Sequence, residues 1–230
     1  MNRVSQHEPE HLSLLQHLKG SYAVVNMTLL SIIQGVALAD LAGVAGANYT
    51  QFTLVHWLLV LTMLGLIVTV WNLIMMDAIS LISIPDFGDA ALAFGIGAVE
   101  LLLNHLIPLS LSLWLFCLAI ASCLEVVGVV FVHRRAKQEA ENSRVLPLLS
   151  RRQRPGILHG TAGIALFLLL GLLSVIAGFG SINRGDSIDR LLAIGAALLA
   201  LVWVASLIFY SIAYWHTVLA YARTGHMPDN

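Results

Sequence analysis

The sequence predicts an all-α fold: a polytopic integral membrane protein with six transmembrane helices in one bundle and a short interfacial N-terminal helix. Two observations predict it. Of the 230 residues, 58% are hydrophobic and 11% are charged, whereas an ordinary soluble domain is about 45–50% apolar and about 25% charged. The apolar residues also lie in runs of about the 20 residues that a helix needs to cross a bilayer. This composition excludes soluble, disordered, fibrous and disulfide-rich secreted proteins.

The N-terminal segment, residues 1–20, is polar and carries both signs of charge. Leucines recur on one helical stripe between residues 11 and 20, which predicts a short helix lying in the membrane interface. Within the segment, His7-Glu8-Pro9-Glu10-His11 matches the H-E-x-x-H zinc pattern. Pro9 would interrupt the helix that has to present both histidines to one ion. We therefore expect no metal site in the chain.

Polar clusters and a proline delimit the six spans. A Gly/Ala and polar cluster at residues 45–51 divides the first long apolar run. Pro108 divides the second run, because proline inside a helix removes a hydrogen bond and clashes with the preceding turn. Asp189 is a suitable N-cap for the last span. The predicted spans, in order, are about 22–45, 53–76, 89–106, 109–132, 157–180 and 189–222.

The distribution of Lys and Arg predicts the orientation of the chain. Ten of the 12 Lys and Arg residues fall on one side of the six spans, and only Arg184 and Arg190 fall on the other. Because basic loops stay in the cytoplasm, both termini are predicted to be cytoplasmic. The predicted parts of this single membrane domain are the N-terminal segment 1–20, the first four spans in 21–132, a basic cytoplasmic loop at 133–156, the last two spans in 157–222 and a cytoplasmic tail at 223–230.

The third span carries a stripe of small and polar residues. Its members are Asp89, Ala93, Gly97, Glu100 and Asn104, which follow one another at steps of three or four. Such a stripe lets another helix approach closely or lines a polar crevice. With Asp89 at the inner end, Glu100 lies about 16 Å deep, close to the middle of the membrane. No Lys or Arg lies deep in any span, so Glu100 must be protonated, hydrogen-bonded to a neutral group or bound to a cation.

This stripe predicts a cation or proton channel or transporter, in which the third span lines the route. Asp86 and Asp89 would attract cations at the inner mouth, Glu100 would bind or relay them, and Asn104 and His105 would continue outward. The alternative is structural, with Glu100 joining two helices by a hydrogen bond. A bundle of this kind contacts the lipid bilayer, and we expect a homo-oligomer.

Two more carboxylates lie inside spans. Asp40 lies in the outer part of the first span, either on the pathway or capping it in a water-accessible region. Gln34 falls on a different face of the same helix, so the two do not form a single line. Glu125 lies in the fourth span, where it is either a second station on the pathway or a group reaching the inner interface.

Two further functional classes remain open. The 133–156 loop is a possible contact for a protein partner in a non-transporting assembly or sensor subunit. Histidines near the two membrane faces, His56 with His105 and His159 with His216, would suit two bis-histidine haems of an electron carrier. The net charge of −1 gives no field to attract nucleic acid. Without a phosphate loop, nucleophile elbow or dinucleotide fingerprint, we expect neither an enzyme nor a bound cofactor.

Small residues mark the helix-packing faces of the last two spans. Gly156, Gly160 and Gly163 begin the fifth span, and Ala193 and Ala197 share a face of the sixth. We expect these faces to pack within one bundle, since small residues let helix backbones approach closely.

Overall fold

The computed structural model describes residues 10–83, 86–180 and 187–224, and within these residues the fold is all-α. The His7–His11 motif lies largely outside this part of the chain, as does Arg184. The helices are α1 (Glu10–Asn48), α2 (Leu54–Ser80), α3 (Phe87–Leu106), α4 (Leu111–Ala136), α5 (Leu146–Ile176) and α6 (Ser187–Thr224), with a short 3-10 helix at Ala140–Arg144.

Within the described residues, six helices are long and apolar enough to cross a membrane. The prediction of a six-span integral membrane protein is therefore confirmed. The large apolar side chains on the outer surface are those that a bilayer would cover. Inside, one apolar cluster joins the helices and includes the fully buried Trp114 and Phe167.

The structure does not confirm a separate interfacial helix at the N-terminus. Residues 10–48 form one continuous helix of 39 residues. Nothing in this stretch stops a helix: it holds no proline, and Gly20 costs only about 1 kcal/mol relative to alanine. The polar start of α1 therefore runs directly into its membrane-spanning part.

The basic segment 133–156 is mostly helical. α4 continues to Ala136 and α5 begins at Leu146, so the connection is much shorter than the sequence suggests. Pro155 lies inside α5, where packing holds the helix in spite of the lost hydrogen bond. Leu148, Leu149 and Arg152 are buried in this first part of α5, which explains why it folds against the bundle instead of lying in solvent.

The two ends of the bundle differ in charge. One end, called the basic end here, holds Lys19, Arg135 and Arg152, all engaged with carboxylates. The opposite end holds His56 at the start of α2 and His105 at the end of α3. Because six helices alternate in direction, the start of α1 and the end of α6 lie at the same, basic, end.

Glycines bring α5 close to α4, as expected. A Cβ added to Gly156 would lie 3.1 Å from Val129, and one added to Gly160 would lie 2.6 Å from Val126. Ala193 and Ala197 are both buried in the apolar cluster. These small residues therefore form packing faces within the bundle.

An ion-pair cluster fastens α1 to the connection between α4 and α5. Lys19 Nζ lies 2.8 Å from Glu139 Oε2 and 3.0 Å from Glu141 Oε2. The hydrogen bond from Lys19 lowers the pKa of the Glu141 carboxyl below its ordinary value. Since the folded-state pKa is lowered, this contact stabilises the fold above the ordinary pKa and is lost as the pH falls through the lower, folded value.

We expect the Glu141→Gln variant to unfold at a temperature about 1–2 °C below that of the unchanged protein at neutral pH, because an exposed ion pair stabilises weakly. The difference should shrink as the pH falls below the ordinary pKa of 4.5. Thermal unfolding in detergent across a pH series measures it, with Ser143→Ala as the neighbouring exposed control. A difference that does not change with pH would contradict the assignment.

Candidate functional site

A cavity of about 130 Å³ lies inside the bundle, lined by residues from all six long helices. Its walls are mostly apolar and include the ring of Trp203. We call it the central cavity. The charged side chains that line it are Asp77, Asp89, Glu100, Glu125 and Arg152.

Glu100 lies in this cavity wall and is only 2% exposed. Gln34 of α1 donates a hydrogen bond from Nε2 to Glu100 Oε2 over 3.0 Å. The other carboxyl oxygen, Oε1, is buried and has no hydrogen-bond partner among the described residues. Within the same residues, no basic side chain forms an ion pair with Glu100. A buried carboxyl group without a basic partner has the chemistry needed to hold a proton or a cation.

The small and polar stripe of α3 is its buried face, as predicted. Ala93, Gly97, Glu100 and Asn104 are all buried. Gly97 lets Ile33 of α1 approach, since an added Cβ would collide with that side chain. The stripe therefore both brings α1 close and lines the central cavity.

Glu100 and Glu125 lie at about the same depth. An ion pair between Asp89 and Arg135 aligns α3 with α4 at the basic end. Counting from that pair at 1.5 Å per residue, Glu100 lies about 16 Å and Glu125 about 15 Å into the bundle. Both line the central cavity, so the cavity holds two carboxyl groups at about the same depth in the bundle.

A series of polar groups continues from Glu100 towards the opposite end. Asn104 is fully buried and donates from Nδ2 to Ala37 O over 3.0 Å and to Asp40 Oδ2 over 3.1 Å. The other Asp40 oxygen lies 3.1 Å from His105 Nε2, and the His105 side chain is 64% exposed. The series therefore joins the buried Glu100 level to the surface at the opposite end.

Gln34 and Asp40 lie on different faces of α1, as their spacing indicates. Both nevertheless contact the α3 stripe, through Glu100 and Asn104 respectively. Helical spacing alone does not show this, because long side chains on α3 reach across the contact between the two helices.

Asp86 and Asp89 begin α3 as a capping pair. Asp86 N donates to Asp89 Oδ2 over 3.0 Å, and Asp89 N donates to Asp86 Oδ1 over 3.1 Å. Both carboxylates also contact Arg135 Nη1, at 3.3 Å and 2.5 Å. Arg135 therefore partly neutralises the charge of these two acids at the basic end of the stripe.

Asp77 and Arg152 form a buried ion pair that the sequence analysis missed. The guanidinium of Arg152 donates to Asp77 Oδ1 and lies 4.9 Å from the ring centre of Tyr214. Tyr210 donates from its hydroxyl to Arg152 O over 2.9 Å. This cluster joins α2, α5 and α6 beside the central cavity. The sequence offers one signal for this pair. An acid ends one apolar run, and the arginines of the hydrophilic segment lie at the same end of the predicted bundle.

Glu125 has a histidine partner. His159 Nδ1 lies 3.1 Å from Glu125 Oε1, and His159 Nε2 lies 2.9 Å from Ser206 Oγ. The imidazole also stacks on Trp203, with ring centres 4.7 Å apart. Glu125 is therefore turned towards α5 and α6, and is not a group reaching only the membrane surface.

The histidines proposed as haem ligands have other contacts. His56 Nδ1 accepts a hydrogen bond from Thr53 N over 3.0 Å, and its ring stacks on Phe52. His105 contacts Asp40, and both nitrogens of His159 contact protein groups. His216 is exposed. In this arrangement His56 and His105 each use one ring nitrogen within the protein, and His159 uses both.

No protein-family model, curated protein or solved structure matches the chain. The functional conclusion consequently depends on the geometry of the central cavity and of the α3 stripe.

Proposed function

We propose that the protein moves protons across the membrane along α3, with Glu100 as the site that takes up and releases the proton. The observation that carries this proposal is the buried carboxyl group of Glu100. It lines the central cavity, keeps one oxygen without a hydrogen-bond partner among the described residues, and contacts the neutral Gln34 instead of a basic side chain.

The polar groups on both sides of Glu100 support a route. Towards the basic end, the cavity wall extends to Asp89 and Tyr22. Towards the opposite end, Asn104, Asp40 and His105 continue to the surface. Within the part of the chain described, three buried oxygens along this line lack a hydrogen-bond donor, on Gln34, Glu100 and Asn104. Such oxygens accept hydrogen bonds from water, and chains of water and side chains carry protons.

Protons fit this site better than alkali cations do. A potassium or sodium ion gives up its hydration shell only where several oxygens replace it, as carbonyl rings do in channel filters. The central cavity has mostly apolar walls, and Glu100 is paired with one amide. A proton needs a single acceptor oxygen, which Glu100 supplies.

The basic end is proposed to face the cytoplasm, following the excess of Lys and Arg there. Arg135 and Arg152 are buried against carboxylates, so the 133–156 segment presents fewer free charges to a protein partner than its sequence suggests. For this reason we propose transport rather than assembly as the function.

Proton flux into liposomes tests the proposal. With the purified protein in vesicles containing a pH-sensitive dye, an imposed potential should drive proton entry, and Glu100→Gln should reduce it at least tenfold, to the rate of protein-free vesicles. Glutamine keeps the size and the contact with Gln34 but cannot exchange a proton. Glu141→Gln, on an exposed carboxylate, is the matched control and should conduct normally.

Unchanged flux in Glu100→Gln would overturn the proposal, as would the absence of proton flux in the unchanged protein under any gradient. Size-exclusion chromatography and thermal unfolding of Glu100→Gln are the folding controls. If both match the unchanged protein, a loss of flux is not caused by misfolding.

A further inference from the structure

We propose that the central cavity binds a small hydrophobic organic cation, with Glu100 as its counter-ion, so that cation and proton compete for one carboxylate. The inference rests on the proposed role of Glu100 as the transport site and adds the substrate class: a monovalent ammonium compound with one ring or a few alkyl groups.

The charge of the cavity selects a cation. Asp77 and Asp89 are paired with Arg152 and Arg135, and Glu125 contacts His159. Among the described residues lining the cavity, Glu100 is thus the carboxylate that contacts neither an arginine nor a histidine, and its Oε1 is buried without a hydrogen-bond partner. One uncompensated carboxylate balances one positive charge and repels an anion.

The walls select an apolar body. Side chains of leucine, valine and alanine predominate among the lining residues, together with Phe131 and Trp203. An apolar body loses little on leaving water, whereas an alkali ion would lose its hydration shell. Aromatic rings also attract organic ammonium groups when these approach a ring face.

The size of the cavity sets an upper limit on the ligand. Its volume is about 130 Å³, and an engineered apolar cavity of about 150 Å³ in another protein holds one benzene molecule. The ligand is therefore about the size of one benzene molecule or of a tetramethylammonium ion, and larger cations do not fit without movement of the helices.

Competition with protons would make binding pH-dependent. The other titratable or charged groups that line the cavity are Tyr22 on α1, Asp77 on α2, Asp89 on α3, Glu125 on α4 and Arg152 on α5, while α6 contributes the uncharged Trp203 and Leu207. Of these, the acids on α2 and α3 are paired with arginines, and Glu125 on α4 contacts the imidazole of His159. A pH dependence that disappears in Glu100→Gln is therefore assigned to Glu100.

The test is calorimetric titration of the purified protein with tetramethylammonium, whose charge is permanent, so that any pH dependence comes from the protein. The neutral ligand for comparison is tert-butyl alcohol. We expect the cation to bind more tightly than the alcohol, to bind more weakly as the pH falls, and to lose at least tenfold in affinity in Glu100→Gln. Glu141→Gln should bind like the unchanged protein.

Proton flux measured on the same preparations separates the two proposals. If proton flux depends on Glu100 but tetramethylammonium does not bind, or binds Glu100→Gln equally well, the organic-cation proposal is overturned and proton transport stands. If the cation binds through Glu100 and no preparation conducts protons, the transport proposal falls and the cavity remains a cation-binding site. Equal binding of alcohol and cation would leave only an apolar pocket and overturn the inference.

Discussion

Replacing Arg152 with methionine is expected to lower the free energy of unfolding by about 3–5 kcal/mol, because it leaves Asp77 buried without its ionic partner. Both side chains are buried, and the guanidinium also packs on the ring of Tyr214. Methionine keeps the length and the apolar stem of arginine but supplies neither charge nor donors. Unfolding in mixed micelles, followed by far-UV circular dichroism, measures the loss.

Two further variants distinguish loss of the ion pair from general disruption of α5 as the cause of the lower stability. Arg154→Met changes an exposed arginine two residues along the same helix and should alter stability by less than about 0.5 kcal/mol. The double variant Asp77→Leu/Arg152→Met replaces the pair with apolar groups and should recover most of the loss. Equal losses in Arg152→Met and Arg154→Met, or no recovery in the double variant, would contradict the assignment.

Substituting Gly163 with valine is expected to destabilise the bundle by about 3 kcal/mol, at the upper end of the usual cost of overpacking. A Cβ at this position would lie 2.7 Å from Ser122 Oγ and 2.8 Å from Trp203 Cζ2. The indole cannot move aside easily, since His159 stacks on it and Phe167 packs at its edge. α5 would have to separate from α4 and α6.

Gly43→Val is the matched control for this substitution. Gly43 also lies inside a membrane-spanning helix, but nothing lies within 4 Å of an added Cβ there. Valine is a slightly better helix former than glycine, so this variant should be neutral or slightly stabilising. Thermal unfolding of both variants in the same detergent compares them, and similar midpoints would show that Gly163 is not a tight contact.

Much of the fold follows from the sequence, because apolar runs of membrane length have few alternatives to helices in a bilayer. The helical start of α5 could not be predicted from the sequence. Pro155 and the charges around it indicate a loop, but the burial of Leu148 and Arg152 keeps this stretch helical. Local sequence patterns indicate the conformation that a segment favours in isolation. Here contacts with α2, α4 and α6 determine that the segment is helical.

The candidate site is predictable in part. The burial of Glu100 follows from its place on the small and polar stripe, since spacing fixes which residues share a helix face. Its contact with Gln34, and the contact of Asn104 with Asp40, depend on how α1 crosses α3. The Asp77–Arg152 pair was hidden for another reason: charges near a span boundary are typical of solvated positions, and only the packed bundle shows these two buried together.

The order of the ion-pair partners along the chain has a consequence for biosynthesis. Asp77 leaves the ribosome 75 residues before Arg152, and Asp89 likewise precedes Arg135. The second and third helices therefore leave the ribosome ahead of the arginines that pair with their carboxylates. The nascent bundle can close at this end only after α4 and α5 have been inserted. The two ion pairs therefore form late in synthesis, although their carboxylates are made early.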